Sequence, residues 1–322
     1  MPLTDDALWR TLPDLPDVLD KIANGQYTLH GGVVRHAAGT EQGGQIVGHL
    51  LFPGDAQQTQ QSIEKLQTVI EEGLGSLQGG LDQVQQSMGV LQGLQVANLA
   101  LSGLNLAVST AGFIVVCKKL DALSAKIQAQ SQGIIETLKM VGEAHDRSLL
   151  GDEAQFRSLI MTAQQFCEHV DVAQLKSLVL PFTKEYQFTK LVLQKHARSA
   201  ASNVDRFDDI SLLQNRLINM GLMLAHVQLR AGTPVYAQAA LRGLAEDIVD
   251  LNKTRIEALT TDHAFASRVT QDQYRNVRGF LRSGKEVVPA LSYQADLIGV
   301  DVSHPGTLAK AAESKEILLF AA

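Results

Sequence analysis

The chain is poor in the residues on which specialised chemistry is usually built. Its two cysteines, Cys117 and Cys167, supply neither a disulfide framework nor zinc-ligand spacing. Cys117 lies within an apolar run, where a thiol serves as a small buried hydrophobe. Aromatic residues make up only 5% of the chain, with a single Trp, which argues against a β-sandwich and for helices packed along their lengths. Positive charge is in deficit, 28 Lys and Arg against 34 Asp and Glu, and the net charge of −6 excludes nucleic acid as a default partner.

Catalytic motifs are missing too. There is no Walker A, GxGxxG, HExxH, GxSxG or CxxC pattern. Gly73-Leu74-Gly75 has no preceding strand to make a phosphate loop. Cys167, Glu168 and His169 are adjacent, so a helix points them in different directions. His145-Asp146, Glu71-Glu72 and Asp208-Asp209 read as solvated faces or helix-start charges. The expectation is a non-enzyme with no metal and no cofactor. The opening MPLTDDALWR is acidic and lacks the basic region of a cleavable signal. It points to a cytoplasmic soluble form that is membrane-associated when active, or to signal-independent secretion.

What is present is helical periodicity. An apolar content of 45% against 19% charge excludes a disordered chain. Thr4 caps a first helix holding Leu8 and Trp9, which Pro13 ends; Pro16 opens a second, through Val18, Leu19 and Ile22 to Gly25. The runs at 27–35 (YTLHGGVVR) and 45–52 (QIVGHLLF) flank the loop residues AAGTEQGG and predict a small β-hairpin. A lone hairpin is marginal, so residues 27–52 should dock on helices or on a protein partner. From 55 to about 150 there is no proline and the apolar spacing is helical. One continuous helix over those roughly 95 residues would be about 140 Å long.

The C-terminal half reads as ordinary amphipathic helices. They are predicted at 152–179, ended by Pro181, then at 183 to about 200, 204–230, 234–258 and 265–298. Gly232-Thr233-Pro234 is a stop and restart, and Pro289 should kink or divide the last long helix. His304-Pro305-Gly306 is a turn before a short terminal helix. The fold class expected is mainly α: an elongated helical bundle with one very long heptad-bearing helix and a small N-terminal β-hairpin. Its segments are 1–54, 55–150 and 151–322.

The centre of the long helix carries the sharpest signal. Between Asp82 and Lys118, residues 83–117 contain no charge, a run of 35. That length suits a transmembrane segment, although Gln, Asn and Ser make it only moderately apolar. Upstream, Leu74, Leu77, Leu81, Val84, Met88 and Leu91 form a heptad seam. The same steps then reach Gln95, Asn98, Ser102, Asn105, Ser109 and Gly112, while Leu94, Leu99, Leu101, Leu104, Leu106, Phe113 and Ile114 occupy the remaining circumference. A soluble coiled coil has the opposite arrangement. In hydrocarbon it is sensible: the leucines, Phe113 and Ile114 face lipid, while the polar stripe meets other helices or lines a lumen. Lys118 and Lys119 stand where such a helix meets headgroups.

Burial at the centre of a large bundle also suits an apolar helix. Six successive seam positions without an apolar residue weigh against it, since each dry unpaired amide or hydroxyl costs about 1–3 kcal/mol.

In this organisation the chain resembles the α-helical pore-forming toxins of the cytolysin A type. The features that carry the resemblance are the heptad-bearing segment from 55 to about 150 and the embedded 91–117, with the C-terminal helices around them as a shield. It implies an elongated bundle, stored soluble, that inserts helices and assembles as a homo-oligomer in a lipid membrane. The hairpin at 27–52 departs from that pattern, being N-terminal and not very hydrophobic. The functional expectation is a pore-forming or membrane-disrupting effector, a toxin or a bacterial defence protein. The alternative is a cytoplasmic helical scaffold that self-associates through the long helix.

Overall fold

A glycine decides how the first β-prone run folds. In the computed structural model, which describes residues 9–11, 16–30, 32–51, 61, 158–163, 165–166, 171–314 and 318–321, 27–35 is not one strand. It divides into β2 (Tyr27–His30) and β3 (Val33–His36), which pair antiparallel. Between them stands Gly32, where a Cβ would clash with the Tyr293 ring at Cε2. The Tyr293 hydroxyl donates to the Leu50 carbonyl, so the phenol is anchored against the sheet through the space a side chain would fill.

The molecule is mainly helical with a small antiparallel sheet, and it divides into two compact units. One comprises Met1–Val108 with Pro289–Ala322, the other Ser109–Val288. The long heptad-bearing helix predicted at 55–150, with its segment 91–117, lies outside the described residues. The segment 151–322, read as one bundle, contributes to both units.

The first unit holds the sheet. β3 pairs with β4 (Ile46–Leu51), β4 with β5 (Leu318–Ala321) and β5 with β1 (Trp9–Thr11), giving the order β1-β5-β4-β3-β2. The expected two-stranded hairpin is therefore replaced by five strands, which resolves its marginal stability. Residues near Trp9, expected in a helix, are strand instead. Their register, Trp9 opposite Phe320 and Thr11 opposite Leu318, shows that long-range pairing overrides the local helix signal. The helix expected after Pro16 forms as α1 (Pro16–Ala23), and Gly25 follows it with φ 76. β4 buries four consecutive residues, Gly48 to Leu51, and since successive residues alternate faces, both faces are covered there. The core joins Val18 and Ile22 of α1 to Val34, Leu50, Leu319, Phe320, Tyr293 and Leu297.

The second unit is built from α2 (Val172–Ala197), α3 (Ala200–Asp205), α4 (Phe207–Arg230), α5 (Pro234–Thr261), α6 (His263–Ala266) and the first part of α7 (Gln271–Ser303). After α7 comes α8 (Thr307–Glu313), the short terminal helix expected beyond the turn, in the first unit. Asp171 caps α2, its carboxylate accepting from Gln174 N. The break expected at Pro181 does not occur. Leu175, Leu178, Phe182, Tyr186, Thr189 and Leu193 form one buried stripe across it, and that packing carries the helix through the lost backbone donor. α7 likewise continues through Pro289, and the boundary between the units falls at that residue.

α4 is the central helix of this unit. Eight consecutive residues, Met220 to Val227, are buried, so no side of it faces water there. Gly221 permits close approach to α5, since a Cβ would lie 2.7 Å from Leu244 Cδ2. Polar ties set the register. The Tyr186 hydroxyl donates to Asp247 Oδ2 at 2.6 Å, Lys190 Nζ lies 2.6 Å from Asp247 Oδ1, and Arg216 Nη2 meets Glu185 Oε2 at 3.0 Å. Gly232 (φ 76) ends α4 and Pro234 opens α5 as the sequence implies. Thr233 is the cap residue but makes no side-chain cap bond; its hydroxyl donates back to Gln228 O at 2.8 Å.

Candidate functional site

The residues singled out for lipid contact (Leu94, Leu99, Leu101, Leu104, Leu106, Phe113, Ile114), for the polar stripe (Gln95, Asn98, Ser102, Asn105, Ser109) and for the interface (Lys118, Lys119) lie outside the described residues. Cys117, Cys167 and the His145-Asp146 pair do as well. Asp208 and Asp209 sit in the first turn of α4, as helix-start charges should. Among the described residues no helix is long and apolar enough to cross a membrane, and no group of three or more His, Cys, Asp or Glu could hold a metal ion.

What the second unit does assemble is a buried cation beneath a groove. On α5, Leu241, Leu244, Ile248 and Leu251 make a buried seam in steps of three and four, and the next seam position is Arg255. Its side chain is thereby carried inward to 2% exposure. On α4 the corresponding polar residue is Gln214, between buried Ile210 and Leu217. The two meet: Arg255 Nη1 donates to Gln214 Oε1 at 2.5 Å and to Asn252 Oδ1, one turn back on α5, at 3.0 Å. The Phe280 ring of α7 covers the guanidinium, with its centroid 4.9 Å from Cζ. Arg255 Nε and Nη2 have no hydrogen-bond partner among the described residues.

A buried guanidinium is ordinarily matched by a carboxylate, because leaving water costs several kcal/mol per ion. Among the described residues the compensation is two neutral amide oxygens and an aromatic face. Burial pulls the Arg255 pKa down to about 10, so the group remains a cation at neutral pH. Since a guanidinium can only donate, both amides must turn their oxygens to it and their NH2 groups away. Those NH2 groups converge beside Gly284, where a Cβ would lie 2.7 Å from Asn252 Nδ2 and 3.3 Å from Gln214 Nε2. Gly284 and Gln214 line a groove of about 410 Å³ between α4 and α7, with Phe207, Phe280, Ser283 and Arg275 also on its walls. No acidic residue is among its described lining. Phe207 and Phe280 meet edge to face at 5.6 Å and give it an apolar side.

Chemically the groove offers donors, a buried positive charge one layer down and aromatic surface. Among its described lining there is no paired nucleophile and base. The signal for it was legible: a charged residue on a seam otherwise apolar, and an amide on the seam of the neighbouring helix. A second hollow, about 310 Å³, lies at the start of α4 against Asp205, Asp208 and Asp209.

Elsewhere, buried histidines are held neutral. Desolvation lowers the His49 pKa, with Asp296 opposing and Arg35 adding to it. His226 on α4 is drawn down to about 3, chiefly by burial and further by Arg230.

No protein-family model, no curated protein and no solved structure matches the chain.

Proposed function

We propose that the protein is a membrane-disrupting, pore-forming effector that is stored soluble, oligomerises and inserts the segment 91–117. One observation carries this reading: the charge-free run 83–117, in which the heptad seam turns polar at Gln95, Asn98, Ser102, Asn105 and Ser109 while Leu, Val, Phe and Ile take the remaining circumference. The leucines then face lipid and the polar stripe faces a lumen or a neighbouring copy. Lys118 and Lys119 mark the headgroup level. The test is dye release from liposomes over a concentration series of protein. Leakage that rises with concentration and is lost in Leu104→Asp/Leu106→Asp is the expected result. Equal leakage from that double variant would overturn the assignment of the inserting face.

A second reading, a helical scaffold, draws on a different observation. Leu180, Phe188 and Leu191 on α2 are about 60% exposed, and helical spacing puts them on one side. A scaffold neither leaks nor floats with vesicles and keeps one oligomeric state in the presence of lipid.

A further inference from the structure

α2 is apolar on two sides, and only one of them belongs to the core. Its buried stripe, from Leu175 to Leu193, packs on α4 and α5. The opposite side carries a row in steps of four, four, four, three and four: Lys176, Leu180, Lys184, Phe188, Leu191 and Lys195, every one of them exposed. Leu180, Phe188 and Leu191 are 61%, 57% and 63% exposed. We propose that this row docks the second unit on an anionic lipid surface, its apolar side chains entering the acyl boundary and its ammonium groups meeting the headgroup phosphates. The inference rests on the membrane reading in taking lipid as the partner, and adds to it the lipid class and a docking face separate from 91–117.

Charge on α2 is sorted by side. Its single carboxylate, Glu185, accepts from Arg216 of α4 at 3.0 Å, and Lys190 turns to Asp247 of α5 at 2.6 Å. The three outer lysines have no carboxylate partner among the described residues. In a chain of net charge −6 this row is wholly cationic, the complement of an anionic headgroup layer. The alternation decides between lipid and a partner helix. A helix seam is apolar at successive positions, whereas lysines interrupt this row, and a second helix laid over them would bury unpaired ammonium groups. At a bilayer surface the same lysines lay their stems along the acyl boundary and keep their charge among the headgroups. A nucleic-acid backbone would engage the lysines and leave Leu180 and Leu191 in water. The row runs about 28 Å along the axis. With its inner side committed to α4 and α5, α2 can lie along a bilayer but not cross it.

The experiment is flotation of the full chain with vesicles of phosphatidylcholine alone and of an equimolar mixture with phosphatidylserine, run beside dye release from the same vesicles. The parent should float with the anionic vesicles and bind the neutral ones at least about tenfold more weakly, since each lysine at an anionic surface is worth roughly fivefold. Lys184→Glu/Lys195→Glu should weaken anionic binding by at least about 20-fold. Leu180→Ser/Phe188→Ser/Leu191→Ser should weaken it to a similar degree. The substituted positions are all exposed, so the far-UV circular dichroism of both variants should stay that of the parent. Leu104→Asp/Leu106→Asp should keep its flotation while losing dye release. Flotation without leakage from the parent retires the pore and leaves the docking face standing. Equal binding to both lipids, no flotation at all, or unchanged flotation of the lysine variant overturns the proposal. Loss of flotation in Leu104→Asp/Leu106→Asp overturns it too, because binding then belongs to 91–117 and the pore reading stays intact. A parent that stays off vesicles yet dimerises, and turns monomeric in the serine variant, makes the face a contact between copies. One that stays off vesicles and retards duplex DNA makes it a phosphate track, and either result overturns the lipid.

Discussion

The two units solve the same problem, a core of leucines and valines, by opposite means. In the first, strands from far apart in sequence must find one another: β1 near residue 10 pairs with β5 near 320, and β5 pairs with β4 near 50. Its apolar cluster has Tyr293 anchored on a backbone carbonyl, and the polar residues it buries among the described ones, His49, Gln294 and Thr307, are uncharged or held neutral. In the second, α2, α4 and α5 follow one another along the chain and pack mutually, and the interior admits Arg255, Gln214, His226 and the Tyr186–Asp247–Lys190 tie. Non-local pairing is slow to form because loop closure precedes any gain from contact. A helical bundle of neighbours carries no such cost and can spend interior positions on polar groups, provided those groups are satisfied.

The comparison is broken most directly at β5. Phe320 is 4% exposed, stands 5.2 Å from the His304 ring and belongs to the apolar core. Phe320→Ala should cost about 3–5 kcal/mol, the range for emptying a buried aromatic site. Urea denaturation measures the loss, and amide exchange locates it: protection should fall across β4 while that of α5 persists. Equal loss of protection in both places would show that the two cores share one cooperative transition, and the contrast drawn above would then describe architecture without energetics.

Legibility in the sequence follows the same division. The helices of the second unit were readable because their periodicity is local, and so was the restart at Gly232-Thr233-Pro234. Pro181 misled for a physical reason: local propensity forbids what six buried stripe residues hold together. The sheet was half legible. The runs at 27–35 and 45–52 are plain, but nothing near Trp9 announces a partner at Phe320, and Gly32 reads as part of a single strand until Tyr293 is set against it. As for the groove, the sequence analysis passed over Arg255, although a charge on an apolar seam is a signal, and its meeting with Gln214 and Phe280 required three helices in place.

Acidity sharpens the contrast next. His226 titrates near 3 when folded and near 6.5 when unfolded, so between these values the unfolded chain binds the extra proton and stability falls as pH falls. From about one pH unit above 6.5 the imidazole is neutral in both states and contributes no slope. At pH 4.5 the loss from this one group is on the order of 2–3 kcal/mol relative to pH 7. Urea midpoints for the parent and for His226→Gln at both pH values isolate it. The parent should lose that much more than the variant, and parallel losses would mean that other groups carry the acid sensitivity.

The smallest effect concerns how the second unit turns its first corner. At the end of α2 the last carbonyls have no intrahelical donor, and a buried helix end without partners is costly. Asn203, in α3, supplies one: its Nδ2 donates to Ala197 O at 3.0 Å and also to Ser199 O at 2.8 Å, the cap carbonyl of α3 that already accepts from Asn203 N, while its Oδ1 has no partner among the described residues. The side chain therefore works as a donor alone. Asn203→Ala removes both bonds and should cost about 1–2 kcal/mol, the value of satisfying buried backbone oxygens. A cost below about 0.5 kcal/mol in urea unfolding would mean that water reaches those carbonyls once the amide is gone. Because the corner joins neighbours in sequence, such a loss should appear first as faster amide exchange at the end of α2 and in α3. The strand pairing of the first unit, which depends on no such cap, should keep its protection.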